Sequence, residues 1–545
     1  MWIRTGVRRR FPFVVATAVI LAAALGSPGA RAADAGQRDY VPGQFIAKTY
    51  TEALGRLPTQ RDWTRAAAGF AKPGCSESSV AALSRQIYTS RQFLNLGYDN
   101  ASRLLALYRG VLNREPDAPG FDHWLNRLGG GTPWRGIVDV LLDAPEFTGL
   151  VPKICSGAID SAATSYNFGG QKPLRIFTTS HGFTGTEAEL QIALNRAKPA
   201  GTVALAQRAL VVLTHQLTIP HGVTLTTAGR PDTAHYANMG RLVRGGPFNH
   251  EMVSIDDGAK VRNVWVDGAR GTPTNWAPGR ANVRLNGGTG TTLTEDKISD
   301  TAGPSSVFVL GAFDRLPCRR ISVTKNLITA YSSSNYQTST WTDGVSVTCG
   351  STDVSHNQIV DTSDVAIVLY RASGPEKPVA QASQVYGNQI LSAGNSMYGA
   401  VVADPLFVDK GYSPAAYDFT GSAISGNTFW SSPNTHFDIG LGAGTRAWFG
   451  TNTNSASGTT ITGNTTGPLS ARVQIGIAVA GMQEVTVSDN ALRLHHPASI
   501  GRCPRVNIAV DETTASGTFH PAPGYTGAFD GCVGHYGKKA SPTWA

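Results

Sequence analysis

Hydrophobic and polar positions alternate in short stretches over most of the chain beyond about residue 200, as in strands with one buried face. Six of these stretches share one phrase, in which Val or Ile stands three positions before an asparagine. The asparagines are Asn326, Asn357, Asn388, Asn427, Asn464 and Asn490. Their gaps of 31, 31, 39, 37 and 26 residues indicate one structural unit with loops of different length between its copies.

The asparagines themselves indicate how the copies are arranged. Asparagine tolerates the left-handed conformation of a sharp turn, and stacked side-chain amides can hydrogen-bond along a ladder. Short β-branched strands that recur every few tens of residues, each followed by such a turn, predict a parallel β-solenoid.

Residues 39–155 follow the helical period instead, with Ile46, Tyr50 and Leu54 four apart and Leu104, Tyr108 and Leu112 spaced in the same way. The segment also repeats internally, because each half continues with an arginine, a proline and a tryptophan and ends on a phrase closing in phenylalanine. We expect its aromatic residues to form a core at helical spacing rather than a sugar-binding surface.

The second half of this segment, LYRGVLNREPDAPGFDHWLNRLGGG with the later PEF ending, resembles a small helical domain of unknown function found on many exported bacterial proteins. The first half matches that pattern less completely, since it lacks the Asp-x-x-Gly turn. The resemblance implies a surface or adapter module without chemistry of its own.

The first residues predict export. Four arginines precede an apolar run from Phe13 to Leu25, and Ala30-Arg31-Ala32 supplies a cleavage pattern. Arg8-Arg9-Arg10-Phe11 also resembles a twin-arginine signal. We therefore expect a secreted protein without a membrane span. Association with the cell wall after export is compatible with this expectation.

Charge excludes one class of partner. The first 32 residues contain five arginines and no acid, so the remaining chain has 42 basic and 38 acidic side chains, a formal charge of +4 instead of +9. This mild excess gives no case for nucleic acid. We expect a monomer whose partner is a polysaccharide substrate or a cell-wall glycan.

Six cysteines in an exported chain form an even set and predict disulfides. Cys318 and Cys349 each stand eight residues before an asparagine of the phrase, so they occupy equivalent places in successive coils, about 4.8 Å apart. The other predicted pairs bracket single segments and are Cys75 with Cys155 and Cys503 with Cys532.

The solenoid is predicted to begin with a helical cap. Thr186 and Glu189 form a capping box before an apolar helical stretch, and such a helix covers the exposed end of a first coil. The predicted organisation is a signal peptide (1–32), a helical domain (33–155), a linker (156–176), a β-helix (177–510) and a C-terminal cap or tail (511–545).

The opening TEAELQIALNRA, GTVAL and LTIPHGVTLTTAG, together with the asparagine phrases, resembles the pectate-lyase-like superfamily. This resemblance implies a right-handed, single-stranded parallel β-helix and a mainly β fold class. It implies no single reaction, because the superfamily includes lyases, hydrolases, esterases, epimerases and non-catalytic adhesins.

A further strand is predicted before each asparagine phrase, and the alternation of these strands places five polar residues in one column. They are Asp343, Asp364, Tyr398, Asp438 and Gln474. Asp343 and Asp364 are 21 residues apart, which fits one coil, so their backbones are expected about 5 Å apart. Two carboxylates that close raise one pKa and can form a general acid beside its partner.

Trp341-Thr342-Asp343-Gly344 and Asp361-Thr362-Ser363-Asp364 resemble two elements of the polygalacturonase signature. The resemblance implies catalytic roles for Asp343, Asp361 and Asp364. The later His-Gly and Arg-x-Lys elements of that signature have no counterpart here, which leaves a galacturonan substrate open.

A lyase is the alternative chemistry. It would need Ca²⁺ held by carboxylates, which Asp343, Asp361 and Asp364 could supply, and a base, for which Arg371 or Lys410 is the candidate. No spacing singles out a calcium cage, so calcium is expected only for a lyase.

Substrate binding is predicted for Tyr398 and Asp438 of the column and for Trp341 and Tyr370 beside it, since aromatic rings stack on sugars. Each aspartate also has a structural reading as a turn residue that bonds its own backbone. Two functions follow. One is a glycoside hydrolase or polysaccharide lyase acting in a groove, and the other is a non-catalytic adhesin or carbohydrate-binding β-helix.

Overall fold

The computed structural model describes residues 41–157, 182–245, 250–269, 281–311, 317–329, 341–371, 380–405, 417–444, 456–496, 503–529 and 532. The predicted export signal and almost all of the predicted linker lie outside these ranges. Within them, no helix is both long and apolar enough to cross a membrane.

The first part is helical, as its period predicts. Its α-helices are α1 (Gly43–Leu54), α2 (Gln60–Ala71), α3 (Glu77–Tyr88), α4 (Arg91–Leu94), α5 (Asn100–Leu107), α6 (Ala118–Gly129), α7 (Trp134–Leu142) and α8 (Pro145–Ser156), and a π-helical turn at Tyr108–Leu112 extends α5. Their core is aromatic, with Tyr88, Phe93 and Phe147 fully buried. We call residues 43–156 the helical module.

Strands follow α9 (Glu187–Arg196) and form three sheets. Sheet 1 contains Thr202–Leu205, Thr224–Thr227, Lys260–Arg262, Thr292–Thr294, Ile321–Thr324, Thr352–Ser355, Gln384–Tyr386, Ala423–Ser425, Ala456–Thr462, Met482–Ser488 and Gly517–Phe519, with Tyr417–Asp418 beside Ala456–Thr462. Sheet 2 contains Leu210–Leu213, Gly240–Arg244, Val264–Asp267, Lys297–Ser299, Leu327–Thr329, Gln358–Val360, Gln389–Ser392 and Thr428–Ser431. Sheet 3 contains Leu217–Ile219, Val253–Ile255, Ala281–Leu285, Ser305–Val309, Asp343–Val347, Val365–Tyr370, Met397–Asp404, Phe437–Ala443, Ala471–Val479, Val506–Val510 and Tyr525–Thr526, with Leu494–His495 beside Ala471–Val479. A separate short pair joins Gly288–Thr289 to Cys318–Arg319.

The chain visits sheets 1, 2 and 3 in turn and then returns to sheet 1 one strand further along. Every neighbouring pair is parallel, as Val323 with Val354 in sheet 1 and Ile328 with Ile359 in sheet 2 illustrate. The protein is therefore a right-handed parallel β-helix, as predicted. Its last strands, at 517–519 and 525–526, continue sheets 1 and 3 into the segment predicted to be a cap or tail.

The asparagines form the predicted ladder. The backbone N–H and the Nδ2 of Asn326 both donate to Oδ1 of Asn357, each at 3.0 Å, and Asn357 donates in the same way to Asn388. The pattern continues through the later asparagines to Asn490. Each Nδ2 also reaches a backbone carbonyl of the previous coil, so these buried amides are satisfied.

The left-handed residue lies one position earlier than predicted. Lys325 and His356 have φ values of 58° and 57°, and Gly387 has 65°, whereas the asparagines that follow them do not have positive φ. The asparagine is thus required for its amide and not for its backbone conformation.

At its N-terminal end the ladder begins with an acid. Asp296 accepts the N–H of Val264 at 2.8 Å through Oδ1, and its own N–H donates to Asn326. Its Oδ2 is buried without a hydrogen-bond partner among the described residues. Burial therefore raises the pKa of Asp296 well above its usual value.

The predicted cap and disulfides are present. Thr186 and Glu189 form the capping box of α9, and Leu190 and Leu194 of this helix are fully buried against the first coil. The disulfides join Cys318 to Cys349, Cys75 to Cys155 and Cys503 to Cys532, with Cα atoms 5.4, 5.5 and 4.7 Å apart.

The helical module packs along the outer face of sheet 2. Trp265, Leu391 and Trp430 of the solenoid belong to the same hydrophobic cluster as the module's core. Beside them, the buried Lys297 ammonium contacts both Glu52 carboxylate oxygens, at 2.9 and 3.0 Å. A buried ion pair contributes little net stability, but it disfavours other docking positions because either partner alone would be a buried charge.

Replacing Asn357 with Ala should lower the free energy of unfolding by about 1–3 kcal/mol, because Asn326 then loses its acceptor inside the stack. Thermal or urea unfolding measures the loss. Asn126→Ala, on an exposed face of α6, is the matched control and should change little. Equal stability of the two variants would contradict a structural role for the ladder.

Replacing Asp296 with Asn should raise the melting temperature at pH 7.5. The new amide keeps the acceptor for the Val264 N–H, and the substitution removes the buried carboxyl. The gain should shrink as the pH falls towards the unfolded pKa of about 4, because a raised pKa penalises only the ionised form. A variant less stable than the parent throughout this pH range would contradict this interpretation.

Candidate functional site

The candidate acids lie on the outer face of sheet 3, which is the face turned away from the interior core of the solenoid. A second hydrophobic cluster covers this face and includes Val365, Val368, Val402 and Ile439. Polar side chains are set among these apolar ones, so their carboxyl groups lie in a medium of low dielectric.

The strand register differs by one residue from the predicted column. Val345 pairs with Ile367, whereas the predicted column would pair it with Ala366. At the start of the strand the Asp364 N–H donates to the Thr342 carbonyl at 3.1 Å. The alternation misleads here because Ala366 and Ile367 are consecutive and both belong to the interior core. Tyr398, Asp438 and Gln474 do continue the row of Asp364, as the neighbouring pairs require.

Asp343 is 4% exposed and is surrounded by hydrogen-bond donors. The Ser346 hydroxyl donates to it at 2.8 Å, the Val365 N–H at 3.1 Å and the Tyr370 hydroxyl at 3.5 Å. Burial raises the pKa of Asp343 to about 7, although these bonds and one from Asp364 favour the ionised form.

The side chains of Asp343 and Asp364 are hydrogen-bonded to each other despite the shift in register. Two carboxylates in contact must share a proton, because neither oxygen can otherwise donate. One proton is therefore held within the pair, and the raised pKa of Asp343 means that it is kept up to about neutral pH. Such a pair has the composition of a proton donor beside its conjugate partner, and its catalytic role stays a prediction.

Two coils beyond Asp364 there is a second group. His436 Nε2 lies 3.3 Å from Asp438 Oδ1, and His436 Nδ1 lies 2.9 Å from the Ser396 hydroxyl. Tyr398 stands between the two groups, and burial together with the charges of Asp438 and Asp364 raises its pKa. His436 was not among the predicted site residues, although its position two residues before Asp438 in an alternating stretch places both side chains on one face.

The structure places Asp361 away from this pair. Its carboxylate accepts the backbone N–H groups of Ala393, Gly394 and Asn395, at 2.6–3.3 Å, in the turn that follows sheet 2. Asp361 itself has a φ of 55°. These contacts fit the alternative reading of a turn residue, and burial raises its pKa to about 7.

Arg371 directly follows the strand Val365–Tyr370, and it packs on Tyr417. Its Nη1 lies 3.2 Å from the Tyr417 hydroxyl, and its guanidinium carbon lies 4.8 Å from the centre of that ring. Trp341 and Tyr370 pack against the hydrophobic cluster of sheet 3. Tyr370 also contacts the acid pair directly, through its hydrogen bond to Asp343. Lys410 lies outside the described residues.

Across the described ranges, no group of three or more His, Cys, Asp or Glu side chains is arranged to hold a metal ion. Among the three acids considered for calcium, only Asp343 and Asp364 are brought together, while the Asp361 oxygens face backbone N–H groups. The calcium hypothesis remains tied to the lyase alternative.

Comparison with protein families identifies one domain. A domain of unknown function, DUF4214, matches residues 85–151, within the helical module. The match covers the half that carries the LYRGVLNREPDAPGF pattern. A search of curated proteins finds no significant sequence match to this chain.

Solved structures with related architecture differ in function. They include an endo-xylogalacturonan hydrolase from Aspergillus tubingensis, with 11% identity, 63% of this chain and 92% of that chain covered, and a TM-score of 0.30. An alginate lyase from Paenibacillus has 12% identity, coverage of 57% and 96%, and a TM-score of 0.26. PfbA, a surface adhesin of Streptococcus pneumoniae, has 10% identity, coverage of 57% and 86%, and a TM-score of 0.31. Such distant likeness carries no argument about function.

The acid pair should make stability depend on pH. Because the pKa of Asp343 is raised on folding, its contribution to stability is complete below its unfolded pKa of about 4 and is lost as the pH rises through about 7. Asp343→Asn should therefore flatten the dependence of melting temperature on pH between 4.5 and 7.5. Asp122→Asn, on exposed α6, should leave the dependence unchanged, and an equal effect of both variants would contradict the assignment.

Proposed function

We propose that the protein is a glycan-active hydrolase whose acid pair is Asp343 and Asp364. The observation that carries this proposal is the side-chain hydrogen bond between the two carboxyl groups, with the pKa of Asp343 raised to about 7. A shared proton that is retained near neutral pH is what general acid catalysis requires. In this scheme the protonated member of the pair donates its proton to the glycosidic oxygen, and the other carboxylate stabilises the resulting charge distribution.

The positions of Asp438 and His436 favour a mechanism in which water, activated outside the Asp343–Asp364 pair, attacks the sugar. The two hydrogen-bonded carboxyls leave no space for a water molecule between them. Asp438 lies two strands beyond Asp364, a backbone distance of about 10 Å, which is slightly beyond the carboxyl separation of about 6.5–9.5 Å in inverting glycosidases. With His436 beside it, Asp438 is the candidate base that activates water.

The second candidate function is glycan binding without cleavage, as by an adhesin. It is favoured by burial, because Asp343, Asp364, Tyr398 and Asp438 are each no more than 6% exposed. A panel of acidic and neutral polysaccharides distinguishes the functions when it is read for reducing ends, for ultraviolet absorbance of unsaturated uronates and for binding. Hydrolysis yields only reducing ends, and a lyase yields both signals and, if it needs calcium, stops on chelation.

On a polysaccharide that the protein cleaves, Asp343→Asn and Asp364→Asn should each reduce kcat at least a hundredfold, because each removes one member of the proton-sharing pair. The double variant should be little worse than either single variant, since the two groups act as one unit. Initial rates of reducing-end release measure the effect.

Asp353→Asn is the control for this experiment. Asp353 lies in sheet 1, where it accepts the Tyr386 hydroxyl at 3.1 Å, and its replacement should leave turnover unchanged. An active preparation that keeps full turnover in either pair variant would show that the acids are turn and strand scaffolding.

A further inference from the structure

A pocket lies where the helical module meets the last coils of the solenoid. Sheet 2 ends at Thr428–Ser431, and Gln60 of α2 contacts the coil beyond this edge at Thr466. The pocket has a volume of about 420 Å³ and is lined by Trp63, Ser431, Ser432, Pro433, Leu469, Ser470, Arg472 and His495. Its volume falls within the usual range for small-molecule sites, about 300–1,000 Å³.

The pocket is basic. Arg472 and His495 are direct partners in the parallel pairing of neighbouring strands, which places their side chains side by side. None of the lining residues is acidic, and in the part of the chain that the structure describes neither Arg472 nor His495 forms an ion pair. Two adjacent nitrogen-rich side chains without an acid form a site for an anion.

Arg472 also has an unused donor. Its backbone N–H is held by the Ser431 hydroxyl at 2.9 Å, which fixes the start of the side chain. Its Nε is buried, and no acceptor contacts it among the described residues. A buried donor without a partner is costly, and a planar guanidinium binds a carboxylate through two parallel hydrogen bonds.

The rest of the lining fits a sugar. Ser431 and Ser470 present hydroxyl groups, while Trp63, Pro433 and Leu469 present apolar surface to the C–H groups of a ring. The module contributes the Trp63 wall and holds it in place, because Gln60 of the same helix donates to the Thr466 carbonyl at 2.7 Å. The pocket therefore requires both parts of the chain.

We propose that this pocket binds a sugar unit carrying a carboxylate, such as a uronate within an acidic glycan, with Arg472 as the carboxylate ligand. The site is separate from the acid pair on sheet 3 and does not depend on cleavage. It assigns the helical module a role in glycan binding, since Trp63 supplies one wall.

The test uses the full-length protein in an Asp343→Asn background, so that cleavage does not consume the ligand. Calorimetry measures the binding of a uronate tetrasaccharide, of a neutral tetrasaccharide of equal length and of its sulfated counterpart. We expect the uronate to bind and the neutral sugar to bind at least tenfold more weakly. Selective binding of the neutral or of the sulfated sugar would overturn the proposal.

Variants then locate the site. Arg472→Ala should weaken uronate binding at least tenfold, and Arg472→Lys should weaken it less, because lysine keeps the charge but loses the planar fork. Arg196→Ala removes the same charge at the other end of the solenoid and should leave the affinity unchanged. Melting curves confirm that each variant is folded.

Each outcome separates this proposal from the proposed hydrolase. Uronate binding that survives Arg472→Ala would place the ligand elsewhere and overturn the pocket, even if Asp343 and Asp364 prove catalytic. Loss of binding in Arg472→Ala but not in Arg196→Ala would support the pocket, even if neither acid affects turnover.

Discussion

The structure depends on one repeated constraint, the need to satisfy a buried turn in every coil. The amide of each ladder asparagine accepts N–H groups of the previous coil and also donates to a backbone carbonyl of that previous coil. Asn326, Asn357 and Asn388 therefore hold their turns at one spacing. Loops elsewhere in a coil can vary in length without disturbing this contact. The ladder explains why gaps of 26 to 39 residues between asparagines are compatible with regular sheets.

Stacking at a fixed spacing also determines how chemistry is assembled on the outer face. Residues distant in sequence become neighbours along a row, so a site can be built from single side chains of successive coils. Asp364, Tyr398 and Asp438 share such a row, and Asp343 joins it from the adjacent position. The apolar residues around them remove water from the carboxyl groups, and burial is what raises the pKa of Asp343.

The helical module determines which faces of the solenoid remain accessible to a ligand. It covers the outer face of sheet 2 through a common hydrophobic cluster and the Lys297–Glu52 pair, so this face is unavailable to a glycan. The acid pair lies on a different face, that of sheet 3. At the edge where sheet 2 ends, the module supplies Trp63 and the solenoid supplies Arg472 to one pocket. A module expected only as a surface adapter is thus part of the architecture of a candidate binding site.

By itself, the sequence determined the features that depend on local pattern and regular spacing: the solenoid, its amide ladder, the helical cap and the pairing of Cys318 with Cys349. It also identified Asp343 and Asp364 as neighbours. Only the tertiary structure decided the register, because consecutive Ala366 and Ile367 both enter the core and break the alternation that the alignment assumed. It also decided that Asp361 belongs to a turn and where the module docks. Such contacts join residues tens to hundreds of positions apart, and no local period encodes them.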